Sequence, residues 1–291
     1  PFKRLVNQGM IQGRSSIAYR KKDNNTYISL NQKNEEGLLP IYVDVSFVNA
    51  KDELDIEKFK AARLQCDNEV PQFITEPNGT FVCDALVEKM SKSKLNVVNP
   101  DDIIAEYGAD TLRLYEMFLG PLEQSKPWNT HGIEGVYRFL RKLWNLFHAK
   151  NGNFTISEEQ PTPAELKILH KTIKKVAEDV EAMSFNTTVS AFMVCVNELQ
   201  ELKCNKRAIL EEVIKILSPF APHICEELWE LCGHNESITL ATFPTFNAAF
   251  LVESTFEYPI QINGKLRASV VAPIDMPQKE VEELVLQNET V

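Results

Sequence analysis

The sequence predicts a mainly α-helical protein with small α+β parts, on three observations. The second half repeats apolar residues at spacings of three and four, which is the period of amphipathic helices. Short β-type runs separated by turn residues precede it, and the chain closes on a hairpin pattern followed by one helical stretch. A length of 291 residues, 44% hydrophobic and 25% charged, is ordinary for globular proteins and indicates about two domains. We expect two main units with smaller appendages.

The first 85 residues contain two different sequence patterns. Residues 1–14 form an amphipathic fragment with no helix cap before it and no initiator methionine, so we expect something upstream to be missing. From about 15 to 85, a helix over about 55–66 lies among β-type runs, with turn signals at Asp23-Asn24-Asn25 and Pro77-Asn78-Gly79. The predicted strands lie at Tyr19, Thr26–Leu30, Ile41–Val45, Phe73–Thr75 and Thr80–Cys83. This pattern predicts a small insertion module of strands and one helix.

A cationic loop follows the insertion. It consists of Lys89, Met90, Ser91, Lys92 and Ser93, and Lys94 comes next, so three lysines and two hydroxyls fall within six residues. The run ends shortly before a helix-start signal at Asn99-Pro100-Asp101. A loop with this many donors can close over a triphosphate, because positioned lysine and serine groups stabilise the charge that develops during nucleotidyl transfer. The competing interpretation is a solvated basic turn, which is what a lysine run usually forms.

Helices dominate after the loop. We predict Asn99 to cap a helix over 100–107 that Gly108 ends, and Asp110 to cap the next helix, over 110–118. Further amphipathic helices are predicted over 131–149, 163–183, 187–202, 206–217 and from Pro222 to Leu231, where Gly233 ends the last one. Short polar loops join these helices, which predicts an antiparallel bundle.

In the C-terminal stretch the sequence pattern changes from helical to β-type. Tyr258–Ile262 and Lys265–Val271 flank Asn263-Gly264, the favoured dipeptide of a type I′ turn, and therefore predict a β-hairpin. A helix over about 277–287 follows. Two strands and one helix are marginal without a third strand or a partner surface. We therefore expect truncation at this end as well.

The net charge, the cysteine spacing and the hydropathy of the sequence argue against several classes of function. A net charge of −10 argues against a protein whose whole surface binds nucleic acid, so any RNA contact must be local. Six cysteines contain no C-x-x-C pair and no zinc-finger spacing, so we interpret them as free thiols and expect no metal site. No apolar stretch reaches the length of a membrane span or resembles a signal peptide, so we expect a soluble, cytoplasmic protein.

The loop at 89–93 reads KMSKS, which resembles the nucleotide loop of the class I aminoacyl-tRNA synthetases. Tyr107-Gly108-Ala109-Asp110-Thr111-Leu112-Arg113 downstream is also similar to that superfamily. Within it, the chain is most similar to the bacterial leucyl-tRNA synthetases. The stretches that carry this resemblance are Leu5–Met10, Gly120–Ser125, Trp128-Asn129, Gly132–Leu140, Ser218–His223 and Ile262–Arg267. The similarity covers nearly the whole chain and is weakest over about 15–85.

The resemblance implies an activity and roles for the loop. The full enzyme would activate leucine with ATP and Mg²⁺ and then transfer it to the terminal ribose of tRNA(Leu). Lys92 would lie beside the triphosphate and stabilise charge as pyrophosphate leaves, and Lys89 would support it. Ser91 and Ser93 would contact phosphate or order the loop, of which Met90 is the remaining member.

The resemblance also implies an RNA surface. The helix over 131–149 would face the inner side of the L-shaped tRNA, with Arg138, Arg141 and Lys142 as backbone contacts that position rather than specify. In the hairpin, Lys265 and Arg267 would touch the elbow of the tRNA. We expect the protein to act as a monomer.

The resemblance implies five segments. They are 1–14, the end of a catalytic segment; 15–85, a leucine-specific-type insertion; 86–130, the loop and its helical connector; 131–250, a helical anticodon-binding domain; and 251–291, part of a C-terminal tRNA-binding module. No His-x-Gly-His motif occurs and the editing domain would lie upstream, so we expect this chain to be inactive by itself. The alternatives are another class I synthetase, for isoleucine, valine or methionine, and a non-catalytic tRNA-binding helical protein.

Overall fold

The computed structural model describes residues 5–34, 36–64, 70–252, 255–262, 265–273 and 276–287. The helices in these ranges are α1 (Ile56–Leu64), α2 (Pro100–Tyr107), α3 (Ala109–Phe118), α4 (Ile133–Phe147), α5 (Pro163–Glu181), α6 (Phe185–Glu201), α7 (Arg207–Leu217), α8 (Pro222–Leu231) and α9 (Gln278–Leu286). The strands are β1 (Ile11–Arg20), β2 (Thr26–Ile28), β3 (Leu39–Val43), β4 (Gln72–Ile74), β5 (Asp84–Lys89), β6 (Lys126–Pro127), β7 (Thr255–Ile262) and β8 (Lys265–Pro273). The predicted fold class is confirmed, and each helix lies within two residues of its predicted bounds.

The ten-residue strand β1 organises the first sheet. Ser16 and Ile17 pair with both β3 and β5, so these two antiparallel strands lie on opposite sides of β1. Gln12 pairs with Lys89 on one side and with Pro127 of the parallel strand β6 on the other. The end of β5, where the cationic loop begins, is therefore hydrogen-bonded to the start of β1. β1 also runs without a break across position 14/15, where the sequence predicts a change of segment.

The predicted strand at Thr80–Cys83 is wrong, and the strand β5 that follows it was not predicted. Phe81 and Cys83 are buried, and Phe81 packs edge-on against Phe73 with the ring centroids 5.6 Å apart. The backbone of this stretch makes single bonds, such as Leu54 N–H to the Phe81 carbonyl at 2.8 Å, rather than a strand ladder. Its apolar composition therefore reflects burial in a small core and not strand pairing.

The helices α3 to α8 share one hydrophobic core, which confirms the predicted bundle. Leu114, Leu143, Phe192, Ile214 and Leu228 are at most 1% exposed and belong to the same cluster. The apolar periodicity that predicted these helices is thus the pattern of their buried faces.

The prediction that Asp110 caps its own helix is wrong. Gly108 occupies the cap position of α3, and glycine has no side chain that could accept a hydrogen bond there. The Asp110 carboxylate instead accepts the backbone N–H groups of His223, at 3.3 Å, and Ile224, at 2.7 Å, in the first turn of α8. The cap residue of α8 is Ala221, which has no side-chain acceptor, so Asp110 satisfies donors that would otherwise be unpaired.

The two strands of the predicted C-terminal hairpin are confirmed. β7 and β8 pair antiparallel, with a register shift between Ile260 and Gln261. The predicted Asn263-Gly264 turn lies outside the described residues. The helix α9 follows the hairpin, as predicted.

Candidate nucleotide loop and RNA-facing surface

The cationic loop connects a strand to a helix. It leaves β5 at Lys89 and forms a 3₁₀ turn over Lys92–Lys94, after which Leu95 adopts a left-handed backbone with φ of 53°. The chain then enters α2, where the Asn99 side chain accepts the Asp101 N–H at 3.2 Å as the sequence predicted. The loop is therefore short and anchored at both ends by regular structure.

The two lysines of the loop and Lys94, which follows it, differ in their surroundings. Lys94 forms an ion pair with Glu88, and this hydrogen bond raises the pKa of the lysine and lowers the pKa of the carboxyl group. Lys89 and Lys92 are exposed and make no ion pair with any residue that the structure describes. Lys94 thus anchors the loop to Glu88 of β5, while Lys89 and Lys92 remain available to an anionic ligand.

The hydroxyls and the methionine complete the loop. The Oγ atoms of Ser91 and Ser93 lie 2.9 Å apart and form a hydrogen bond with each other. This bond uses one of their two O–H donors, so the pair keeps a donor for a phosphate oxygen. Met90 is half-buried.

Sequence reasoning missed the residue that holds the loop from behind. Asn96 is 1% exposed, and its Oδ1 accepts the N–H of Ser91 at 2.7 Å. Its Nδ2 donates to the Oγ of Ser15 on β1 at 2.9 Å. The only sequence signal was a single amide side chain within the apolar run Leu95-Asn96-Val97-Val98.

The helix α4 presents a basic face. Val136, Phe139 and Leu140 are buried, whereas Arg138 and Arg141 are exposed and have no ionic or hydrogen-bonded partner in the described ranges. They are three residues apart, so they lie on neighbouring positions of one helix face.

The third predicted cation of α4 is partly engaged. Lys142 is exposed, but its Nζ donates to the Oδ1 of Asn197 on α6 at 2.7 Å. Arg141 borders a shallow groove of roughly 470 Å³ that Tyr107, Tyr137, Trp144 and His223 also line. Aromatic and cationic side chains together suit unpaired nucleotides, because bases stack on rings while phosphates bind cations.

The structure brings together the five loop residues, and separately the three cations of α4. Arg267 of the hairpin is exposed, and the Lys265 side chain lies outside what the structure describes. Between the loop side chains and those of α4, the described residues make no hydrogen bond or ion pair. The two surfaces are therefore distinct candidate sites.

The thiols that the structure describes are buried. Burial raises the pKa of Cys83 and Cys195 to about 12 and the pKa of Cys204 and Cys232 to about 11. These groups are therefore protonated and poor ligands at neutral pH. Cys66 lies outside the described residues. Within the described ranges, no group of three or more His, Cys, Asp or Glu residues could hold a metal ion, and no helix has the length and apolar character needed to cross a membrane.

Several known proteins are similar to this chain. A family profile described as tRNA synthetases class I (I, L, M and V) matches residues 64–126, and one described as the anticodon-binding domain of tRNA ligase matches 165–283. The leucine–tRNA ligase of Cytophaga hutchinsonii is 61% identical over all 291 residues, and that of Flavobacterium johnsoniae is 55% identical over 289. Along its whole length the chain is homologous to one part of the leucine–tRNA ligases.

A solved leucine–tRNA ligase structure has the same fold. The Agrobacterium radiobacter K84 agnB2 LeuRS, crystallised in a ternary complex with tRNA and LeuAMS, covers 79% of this chain at 27% identity with a TM-score of 0.52. The chain covers 31% of that protein. It likewise spans 31% of the Cytophaga ligase and 30% of the Flavobacterium ligase.

The resemblance to the leucine–tRNA ligases that the motifs predicted is therefore confirmed. The class I profile includes the 89–93 loop together with α2 and α3, and the anticodon-binding profile begins within α5. The basic helix α4 lies between the two matches.

Proposed function

We propose that this chain supplies the triphosphate-binding loop and part of the tRNA surface of an ATP-dependent leucine–tRNA ligase. The observation that carries the proposal is the KMSKS loop, in which Lys89 and Lys92 stay exposed while Lys94 is tied to Glu88. Homology to leucine–tRNA ligases over the whole chain supports the choice of leucine. The complete ligase would act as a cytoplasmic monomer.

The loop lysines would act during leucine activation. A carboxylate oxygen of leucine attacks the α-phosphorus of ATP, the bond from that phosphorus to the bridging oxygen breaks, and pyrophosphate leaves with the negative charge. ATP enters with Mg²⁺, as its metal complex. Lys92, with support from Lys89, would stabilise the charge on the departing pyrophosphate, because cations placed in advance require no reorganisation during the step. Ser91 and Ser93 would donate to phosphate oxygens.

The α4 face would hold the tRNA. Arg138 and Arg141 have no protein partner in the described ranges, so both guanidinium groups are available to backbone phosphates. Lys142 would contribute less, because a phosphate must compete with its bond to Asn197. Lys265 and Arg267 would form a separate contact at the tRNA elbow. These contacts would position the tRNA without reading its sequence.

The five-segment division also stands as a proposal. The boundaries at 14/15, 85/86, 130/131 and 250/251 separate a catalytic end, an insertion, the loop with its connector, the bundle and the C-terminal module. The exposed lysines and α4 would thus belong to different segments, one acting in activation and the other in binding tRNA.

The test is amino-acid-dependent pyrophosphate exchange by a full-length ligase that carries these residues. Leucine, isoleucine, valine and methionine are compared, and charging of tRNA(Leu) is measured on the same preparation. We expect exchange and charging with leucine alone. Exchange with another of the four amino acids would reassign the substrate, and a folded protein that binds tRNA without any exchange would support the non-catalytic alternative.

A further inference from the structure

The buried residue Asn96 contacts the start and the middle of the KMSKS loop. Asn96 accepts the Ser91 N–H at 2.7 Å and donates to the Lys89 carbonyl oxygen at 3.4 Å. Its third partner is the Oγ of Ser15 on β1, at 2.9 Å. A buried amide with both polar ends paired fixes the groups around it, since a lost partner leaves a desolvated group unsatisfied.

The network continues to the lysine that fastens the loop. The Ser15 hydroxyl donates to Glu88 at 2.6 Å, and Glu88 is the ion-pair partner of Lys94. Asn96, Ser15, Glu88 and Lys94 therefore form one connected set of polar contacts between β1, β5 and the loop. The backbone of Leu95 makes a further hydrogen bond, because its carbonyl oxygen accepts the Val45 N–H at 3.2 Å.

The side chain of Lys92 is not part of this network of polar contacts. This lysine lies in the 3₁₀ turn between Ser91, whose N–H Asn96 accepts, and Asn96 itself, and its side chain is exposed. Among the described residues its ammonium group has no hydrogen bond or ion pair, so the position of that group depends on the backbone that Asn96 holds. A cation that must meet a phosphate is sensitive to such placement, because a shift of about 1 Å can lower a rate by about 10²-fold.

We propose that Asn96 is a positioning residue for the leucine-activation step, acting through Lys92. The inference rests on the proposed function, since it gives Lys92 the phosphate-binding role described above. Asn96 would hold the loop backbone so that the Lys92 ammonium meets the departing pyrophosphate. It would itself touch neither ATP nor leucine.

A merely structural Asn96 makes a different prediction. If it only fills buried space, its loss lowers stability and reduces the rate by the same factor whether or not Lys92 is present. If it acts through Lys92, its loss has little further effect once the ammonium group has been removed. A double-mutant cycle separates these two cases.

The experiment measures kcat and KM for ATP in pyrophosphate exchange with a full-length ligase that carries these residues. The variants are Asn96→Ala, Lys92→Ala and the double variant. Asn49→Ala is the matched control, because Asn49 also makes three hydrogen bonds in a turn, to Lys51 N, Glu53 N and Glu53 Oε2, but lies outside the loop. Asn96→Asp keeps the shape of the side chain but removes its donors, and carries the test if the alanine variant does not fold.

We expect Asn96→Ala to lower kcat by about tenfold or more and to leave a further loss under about twofold in the Lys92→Ala background. Asn49→Ala should leave kcat unchanged. Equal factors in both backgrounds, or an unchanged kcat for both Asn96 variants, would overturn the inference. If instead the wild-type protein shows no exchange, or Lys92→Ala alone has no effect, the proposed function fails, and that result is distinct from the others.

Discussion

The carboxylate of Asp110 in α3 accepts a 2.7 Å hydrogen bond from the backbone N–H of Ile224 in α8, although 114 positions separate the two residues. The same carboxylate lies 2.8 Å from the Nδ1 of His223. Arg113, one turn further along α3, donates to the carbonyl of Pro219 at 3.1 Å. The connector that follows the KMSKS loop is therefore fastened to the bundle through the first turn of α8 and the residues just before it.

Removing the Asp110 acceptor should destabilise this junction. Asp110→Ala leaves two partly buried backbone donors without their acceptor, and we expect a loss of about 1–3 kcal/mol in the free energy of unfolding. Asp110→Asn should lose about 1 kcal/mol or less, because asparagine also caps helices but lacks the charge that favours a helix N-terminus. Urea unfolding measures both. Glu116→Ala is the control, since Glu116 is exposed on the same helix; equal losses for Asp110→Ala and Glu116→Ala would contradict the capping role.

The buried ion pair of Glu165 should make stability depend on pH in acid. Burial opposes its ionisation, but hydrogen bonds from the Thr162 backbone and from Lys206 outweigh burial and lower the pKa of Glu165 to about 2 from 4.5. Because the folded pKa is the lower one, this stabilisation is complete above about pH 4.5 and is lost as the pH falls towards about 2.

Glu165→Gln tests this dependence. We expect the variant to be less stable than the wild type near neutral pH and the difference to shrink as the pH falls below about 4.5. The exposed Glu178→Gln on the same helix is the control. A difference between Glu165→Gln and the wild type that is constant across this range would show that the carboxylate charge does not contribute.

Two glycines should respond oppositely to alanine. A Cβ on Gly13 would lie 2.5 Å from the backbone oxygen of Asn96, so Gly13→Ala must displace the segment that ends the loop. We expect a loss of about 1–3 kcal/mol in stability together with slower pyrophosphate exchange in the full-length ligase. Gly135 on α4 has no atom within 4 Å of such a Cβ, and Gly135→Ala should stabilise the protein by about 0.5–1 kcal/mol. Unchanged stability and exchange in Gly13→Ala would contradict the close packing behind the loop.

The basic face of α4 should govern salt-dependent tRNA binding. Arg138→Glu and Arg141→Glu should each weaken binding and reduce the slope of log K against log salt by about 1, because each removes one phosphate contact. Lys142→Glu should have a smaller effect, since Lys142 is already bonded to Asn197. Filter binding at several salt concentrations measures this. Unchanged slopes in both arginine variants would remove this face from the interface.

The helices could be predicted closely from the sequence, whereas the contacts that organise the loop could not. Helix signals are local: the apolar period and caps such as Asn99 lie within a few residues of the helix they define. Strand β5 and the Asn96 network depend on β1, whose paired residues lie 67 to 81 positions earlier in the chain. The true partner of Asp110 is likewise distant, so local capping rules assigned it to its own helix. The KMSKS motif located the candidate nucleotide site but did not distinguish the tied Lys94 from the exposed Lys92.

Pyrophosphate exchange by Lys92→Ala tests the central claim most directly. The variant is compared with the wild type and with Lys51→Ala, which removes an exposed lysine between β3 and α1, in a full-length ligase that carries these residues. We expect Lys92→Ala to fold normally and lose about 10²–10³-fold in leucine-dependent exchange, as is usual when one positioned charge donor is removed, while Lys51→Ala keeps full activity. Near wild-type exchange in a folded Lys92→Ala protein would contradict the assignment of the loop to the triphosphate.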